Sequence, residues 1–323
     1  MRIIKCAGFF FLWYFTIITT GFTQTLKPNQ IPGLSLWLRA DSSVILNGSN
    51  VSQWNDCSEN NNNASQASAA SQPSYMTDQL NGYPVLRFDG SNDFMEFASG
   101  FMYNWTDVSF FIVFKPVFSL NSGIFAPSNA YGTGIEFLSK GEIVEPVQLR
   151  INGTVKYTSG LLSDGVFTIS DFTYNSLNTN AYVNGISLAP AAGEAALNFN
   201  GIYALGRYAA SYGSFYTAFD VAEIIAYSHT VTGAERNNIE QYLMKKYARQ
   251  IDLGPDIATY SLQPINLNAH SGFTNYLWND GSTDSTLSIN KSGTYWVRAN
   301  DIFGYITSDT VNVTCPNTRL NYQ

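Results

Sequence analysis

Arg87-Phe-Asp-Gly-Ser-Asn-Asp-Phe-Met-Glu-Phe97 puts three carboxylate or amide side chains, Asp89, Asn92 and Asp93, into five residues around one glycine, with a short apolar run on either side. Apolar runs this short, parted by Gly, Asn and Asp, read as two strands joined by a turn. Gly90 allows a positive φ, and Asp and Asn side chains can bond nearby backbone amides. The same three residues offer hard oxygens to calcium, which takes roughly six to eight such ligands. The spacing is not that of an EF-hand loop, so a calcium site would need carbonyls or acids from elsewhere. Turn and calcium site both stay open on the sequence; a catalytic carboxylate pair is the weakest reading.

Outward from this stretch the pattern repeats. Leu34–Leu38, Val85–Phe88, Val108–Phe114, Gln148–Ile151, Val166–Thr173, Ala181–Val183, Ile202–Leu205 and Val221–Tyr227 are short runs rich in Val, Ile, Phe and Tyr. Turn residues separate them at the spacing of an all-β sandwich. Asn184-Gly185 is a two-residue hairpin signal. Glu59–Gln72, ENNNNASQASAASQ, has no periodicity and reads as a surface loop. One helix is expected: Thr232-Gly-Ala-Glu235 forms a capping box. Ile239, Tyr242, Leu243 and Tyr247 share a face, and Lys245, Lys246 and Arg249 suit the C-terminal dipole. The sequence places this helix across one end of the sandwich. After Asp252-Leu-Gly-Pro-Asp256, a linker, short strands resume from Ile265 to Val313 and predict a second, small sandwich.

The first residues carry Arg2 and Lys5, an apolar stretch Ala7–Ile18 and then small residues, which is the pattern of a signal peptide. Its removal between about Gly21 and Gln24 leaves 15 basic and 24 acidic residues. Such a chain repels nucleic acid and gains no attraction to anionic membranes. No later run approaches the ~18 apolar residues of a membrane span, so an exported protein at the extracellular surface or beyond it is expected. Cys57 and Cys315 lie in different candidate domains and are expected as free thiols. Seven Asn-x-Ser/Thr sequons occur.

Leu34-Ser-Leu-Trp-Leu-Arg-Ala-Asp41, Val51-Ser-Gln-Trp-Asn-Asp56, Pro84-Val-Leu-Arg-Phe-Asp-Gly90, Val221-Ala-Glu-Ile-Ile-Ala-Tyr227 and the Glu235-Arg236 helix together resemble the laminin-G-like branch of the concanavalin A-like lectin/glucanase superfamily. That resemblance implies an all-β jelly-roll sandwich closed by one C-terminal helix. It also implies a mostly non-catalytic glycan- or protein-binding role, with calcium in some members. Tyr276-Leu-Trp-Asn-Asp-Gly-Ser282, Ser292-Gly-Thr-Tyr295 and Ser308-Asp-Thr-Val311 resemble immunoglobulin-like or PKD-like modules of exported bacterial surface proteins. The cysteine pair of many such modules is matched here by Tyr260 and Tyr305, which could pack as an aromatic pair. The organisation expected is a signal peptide at 1–23, a lectin-like domain at 24–250, a linker at 251–256, an immunoglobulin-like domain at 257–315 and a tail at 316–323, without the sorting domain usual in the family.

Glycan binding needs aromatic faces for the apolar side of a sugar ring and polar side chains for its hydroxyls. Gly206–Tyr216 is a Tyr- and Gly-rich loop, so Arg207, Tyr208, Tyr212 and Tyr216 are binding candidates, joined by Tyr103, Trp105 and Tyr131 from other loops. Trp37, Trp54 and Trp278 read as core. The partner expected is a polysaccharide or a surface glycoprotein. Hydrolysis is the alternative: retaining enzymes place two carboxyls about 5–5.5 Å apart. Asp93-Phe-Met-Glu96 and Glu142-Ile-Val-Glu145 have odd spacing and point to opposite faces of a strand. The histidines, His229 and His270, lie in different candidate domains and read as surface residues. A structural adhesion or matrix role without a glycan site is the third reading.

Overall fold

The computed structural model describes residues 26–118, 122–128, 132–139, 147–158, 161–193, 197, 201–208, 215–259 and 263–314. The expected signal peptide, the tail, Tyr131, Tyr212, Glu142, Glu145, Tyr260 and Cys315 lie outside them. The fold is all-β, a jelly-roll sandwich with one helix. In the first sheet, Leu34–Arg39, Ala218–Tyr227, Val108–Pro116, Thr168–Tyr174 and Asn178–Val183 run antiparallel side by side. The second sheet runs through Asn50–Trp54, Ala64–Ser65, Met95–Phe97, Tyr203–Leu205, Ser122–Pro127, Ile135–Ser139, Val147–Ile151 and Thr154–Thr158. Ser74–Leu80 and Tyr83–Asp89 bridge the two.

Between the sheets lies an aromatic core. The Phe125 ring stacks on Tyr203 at 4.8 Å and packs against Phe110 at 4.8 Å, and Phe110 stacks on Phe172 at 5.3 Å. Each such side chain contributes about 1.5–3 kcal/mol by leaving water. Trp54 belongs to this core. The Asn184-Gly185 turn closes its hairpin as expected, with φ of 48° and 76° and Val183 opposite Ile186.

Helix Gly233–Tyr247 begins with the expected capping box. Thr232 Oγ1 accepts from the Glu235 backbone N–H, and Glu235 Oε2 accepts from the Thr232 N–H at 2.8 Å. It does not cross the end of the sandwich. Ile239, Leu243, Met244 and Tyr247 pack with Trp37, Phe111, Val113, Ile169 and Ile225 on the outer face of the first sheet. The reason is visible in Val108–Phe114, where seven successive residues are buried. A strand apolar on both faces needs a cover on both, so the helix must lie flat on the sheet.

Residues 257–314 build sheets of their own. Ile257–Ala258, Ile306–Thr314, Gly293–Asn300 and Thr274–Trp278 form one, and Ile265–Asn268 with Thr286–Ile289 the other. Trp278, Val297, Val311 and Leu287 fill the space between them, and Ile251 belongs to this core. The linker is pinned: the Leu253 N–H donates to Asp309 Oδ2 at 2.7 Å and Ile251 N–H to Thr307 Oγ1 at 3.2 Å. Phe303 reaches back into the layer under the helix, with Tyr305 beside it. Cys57 is a free thiol.

Candidate functional site

Alternation along the second sheet sends Trp54, Ala64, Met95 and Phe97 into the core, and an irregularity in the strand opposite Ile45 and Leu46 lets Val51 join them. Alternation leaves Gln53, Ser65 and Glu96 on the outer face. Register aligns these three across neighbouring strands: Gln53 faces Ser65, Ser65 faces Glu96, and Glu96 faces Ala204, which faces Ala126. The row therefore starts polar and ends small. Over the small end lies a hairpin, Arg207–Tyr208 paired with Phe215–Tyr216. Its close approach needs Gly123, where a Cβ would come within 2.8 Å of the Arg207 carbonyl oxygen and Tyr208 Cβ. Gly206, at φ +81°, makes the turn into it; a Cβ there would meet the Phe88 ring at 2.6 Å.

Tyr208 is buried at 4% exposure against Ala126 and Leu138, and its hydroxyl donates to Glu136 Oε1 at 3.1 Å. It holds the hairpin down and does not face solvent, which corrects its assignment as a binding residue. Glu136 is fully buried; burial pushes its carboxyl pKa up, against the Gly132 N–H, the Tyr208 hydroxyl and Arg150.

Among the described residues the polar end stays open. A cleft of about 490 Å³ is lined by Gln53, Asn61, Asn63, Ser65, Gln66, Phe94 and Glu96, with Ala67, Phe97 and Ala98. Arg207 pairs with Glu96 and stacks its guanidinium on the Phe94 ring at 3.7 Å. Ser128 Oγ donates to Glu96 Oε1 at 2.9 Å, and the Tyr216 ring lies 6.2 Å from Phe94. Arg207 and Tyr216 thus come to the edge of one site. Tyr103, 60% exposed, and Trp105, edge-on to Phe101 at 5.6 Å, are not among the residues lining it.

The loop Glu59–Gln72, expected to be featureless, supplies one wall. It contains the strand Ala64–Ser65 and a 3-10 turn at Ala69–Ser71. Gln66 is buried, with Nε2 donating to the Phe94 carbonyl at 3.1 Å and Oε1 accepting from Ser68 N–H at 2.9 Å. The signal that could have found this wall was the density of amide side chains in the loop. Glu96 could have been found from the alternation Met95-Glu-Phe97 on one strand.

Asp89, Asn92 and Asp93 build the turn that delivers Phe94 and Glu96. Asp89 Oδ1 accepts from the N–H groups of Ser91, Asn92 and Asp93 at 2.8, 3.2 and 3.3 Å. Burial works against the Asp89 charge, yet these donors outweigh it and hold its carboxyl below the usual range. Asp93 Oδ2 accepts from Asp89 N–H at 3.1 Å. Its own carboxyl is pushed up to about 6 by burial and the neighbouring Asp89 charge. The Asn92 amide donates to the Ala70 carbonyl. Gly90 takes φ +75°, where a Cβ would lie 2.9 Å from Ala218. Among the described residues, no group of three or more His, Cys, Asp or Glu side chains could hold a metal ion.

The two histidines sit apart from the cleft. His229 lies against Gly33 and edge-on to Tyr227 at 5.8 Å, and His270 is exposed in a loop at φ +62°. Among the described residues no helix is long and apolar enough to cross a membrane.

No family model matches the chain, and no curated protein does. Among solved structures it is similar to the binding domain of botulinum neurotoxin DC in complex with rat synaptotagmin II, at 11% identity and TM-score 0.47, covering 87% of this chain and 73% of that one. The binding domain of Paraclostridial Mosquitocidal Protein 1 is similar at 12% identity and TM-score 0.48, covering 84% and 76%. A Trypanosoma rangeli sialidase in complex with sialic acid is similar at 13% identity and TM-score 0.46 over 66% of this chain. The chain spans 33% of the length of that sialidase. At these scores nothing about ligand or activity carries over.

Proposed function

We propose that this is an exported, non-catalytic binding protein of the laminin-G-like kind, which takes a glycan of a polysaccharide or surface glycoprotein in the Gln53–Ser65–Glu96 cleft. The observation that carries the reading is the pairing of an aromatic ring, Phe94, with a row of amide, hydroxyl and carboxylate side chains on one strand face. The cleft volume, about 490 Å³, lies within the usual range of ligand sites, about 300–1,000 Å³. The second module serves as spacer or interaction unit.

Hydrolysis is disfavoured on chemistry. Glu96 is held by Arg207 and Ser128, and Glu136 is buried under Tyr208. Glu136 adjoins Phe137, the partner of Phe125, so three inter-strand steps part the two acids. That is about 14 Å at the backbone, and among the described residues the cleft lining carries one carboxylate, Glu96, where glycosidases need two. The reading needs no calcium, since Asp89, Asn92 and Asp93 are already engaged in the turn.

A glycan array with the full chain, run with and without chelator, tests it. Binding is expected, unchanged by chelator and weakened about five- to tenfold in Phe94→Ala, as for loss of a stacking aromatic contact of about 1–1.5 kcal/mol. Unchanged binding by a folded Phe94→Ala protein removes the cleft from the reading; polysaccharide cleavage removes the binding role.

A further inference from the structure

We infer that the glycan taken by this cleft is electrically neutral, and that Glu96 is the residue that refuses acidic sugars. The inference rests on the glycan reading above and adds to it the chemical class of the ligand.

Of the described residues lining the cleft, Glu96 is the one with an ionisable side chain. Its counter-ion does not face the opening. Arg207 is absent from the lining; its guanidinium is held between the Glu96 carboxylate and the Phe94 ring. The Arg207 side chain is 15% exposed and that of Glu96 35%. A ligand entering the cleft meets carboxylate oxygen, with the cation behind it.

The available hydrogen-bonding atoms point the same way. Glu96 Oε1 already accepts from Arg207 and Ser128, which leaves Oε2 as an acceptor. Gln53 donates through Nε2 to Asn55, which leaves its Oε1 as an acceptor. Asn63 Oδ1 accepts from Asp56 N–H, which leaves its amide NH₂ as a donor. Ser65 supplies a hydroxyl that acts either way. Gln66 is fully engaged with Phe94 and Ser68 and only shapes the wall. With the second N–H of Gln53 Nε2 and the amide of Asn61, which also lines the cleft, donors and acceptors are mixed, and they suit sugar hydroxyls, which both donate and accept. A carboxylate or sulfate, which only accepts, would share the cleft with the Glu96 carboxylate, and that repulsion is what disfavours it.

The test is direct binding of the full chain to matched neutral and acidic polysaccharides, galactan against polygalacturonan, at low salt. The protein is made in a host without N-glycosylation, because Asn63-Ala-Ser65 is itself a sequon. The expected result is at least a tenfold preference for the neutral polymer, narrowed in Glu96→Gln through a gain on the acidic one. If that variant does not fold, salt titration of the wild-type chain serves instead: screening should narrow the preference as salt rises. Equal or stronger binding of the acidic polymer, or a Glu96→Gln protein with the wild-type ratio, overturns the inference and leaves the glycan reading standing. Binding of neither polymer, together with no response on the array, overturns both.

Discussion

The two sheets each turn one face outward, and the two faces are covered in different ways. On the first sheet the outward residues are large and apolar, Trp37, Phe111, Val113, Ile169 and Ile225, and a helix seals them. The few acids there are drawn into the seal. Glu223 Oε1 accepts from Trp37 Nε1 at 2.6 Å, while its Oε2 accepts from Lys246 Nζ at 2.7 Å and the Tyr247 hydroxyl at 2.8 Å. On the second sheet the outward row is polar at one end and small at the other. Among the described residues, the paired strands Arg207–Tyr208 and Phe215–Tyr216 cover only the small end. The lesson is one of side-chain size and polarity: an apolar face demands a complete cover, whereas a face of Gln, Ser and Glu can remain in water and bind something.

The comparison breaks first at Glu223. Glu223→Ala should strip three donors of a buried acceptor and cost about 3–5 kcal/mol, read as a fall in denaturation midpoint. A loss under about 1 kcal/mol would mean the helix is not sealed through this residue.

A pH series sharpens the same side. Arg236 faces two acids, Asp171 and Glu240, and one oxygen of each, Asp171 Oδ2 and Glu240 Oε1, is buried without a partner. Burial, then the Glu240 charge, raises the Asp171 pKa well above 3.8, with Arg236 opposing. Asp171 therefore holds its proton to higher pH than a free carboxyl. Because the folded value is raised, the stabilisation is complete below about pH 4 and is lost as pH rises through the folded value. Wild type should lose stability relative to Asp171→Asn as pH rises. Parallel stability curves for the two proteins would rule out the raised Asp171 value.

The smallest effect belongs to the open face. Tyr208→Phe should cost about 1–2 kcal/mol, because Glu136 loses a donor in a buried place. Glycan binding should stay, since Tyr208 does not line the cleft. A larger change in binding than in stability would show that the hairpin itself contacts the ligand.

Much of the frame was legible in the chain. The capping box at Thr232, the Asn184-Gly185 turn and most strands depend on neighbours within a few residues, and local chemistry decides them. The helix position was not legible, because its own apolar stripe says only that it packs, not on which surface. Tyr208 illustrates the same limit: a tyrosine in a Gly-rich loop looks exposed until Gly123, Ala126 and Leu138 provide a floor for it.

Alternation and turn chemistry were enough to establish an all-β sandwich, since each strand carries its inward and outward residues in its own period of two. The cleft is a different matter. Gln53, Ser65 and Glu96 come from three strands far apart in the chain, and only the pairing register brings them level. A slip of one residue would send every one of them into the core. Register is set by the packing of the whole sandwich, so the site exists only once the sheets have met.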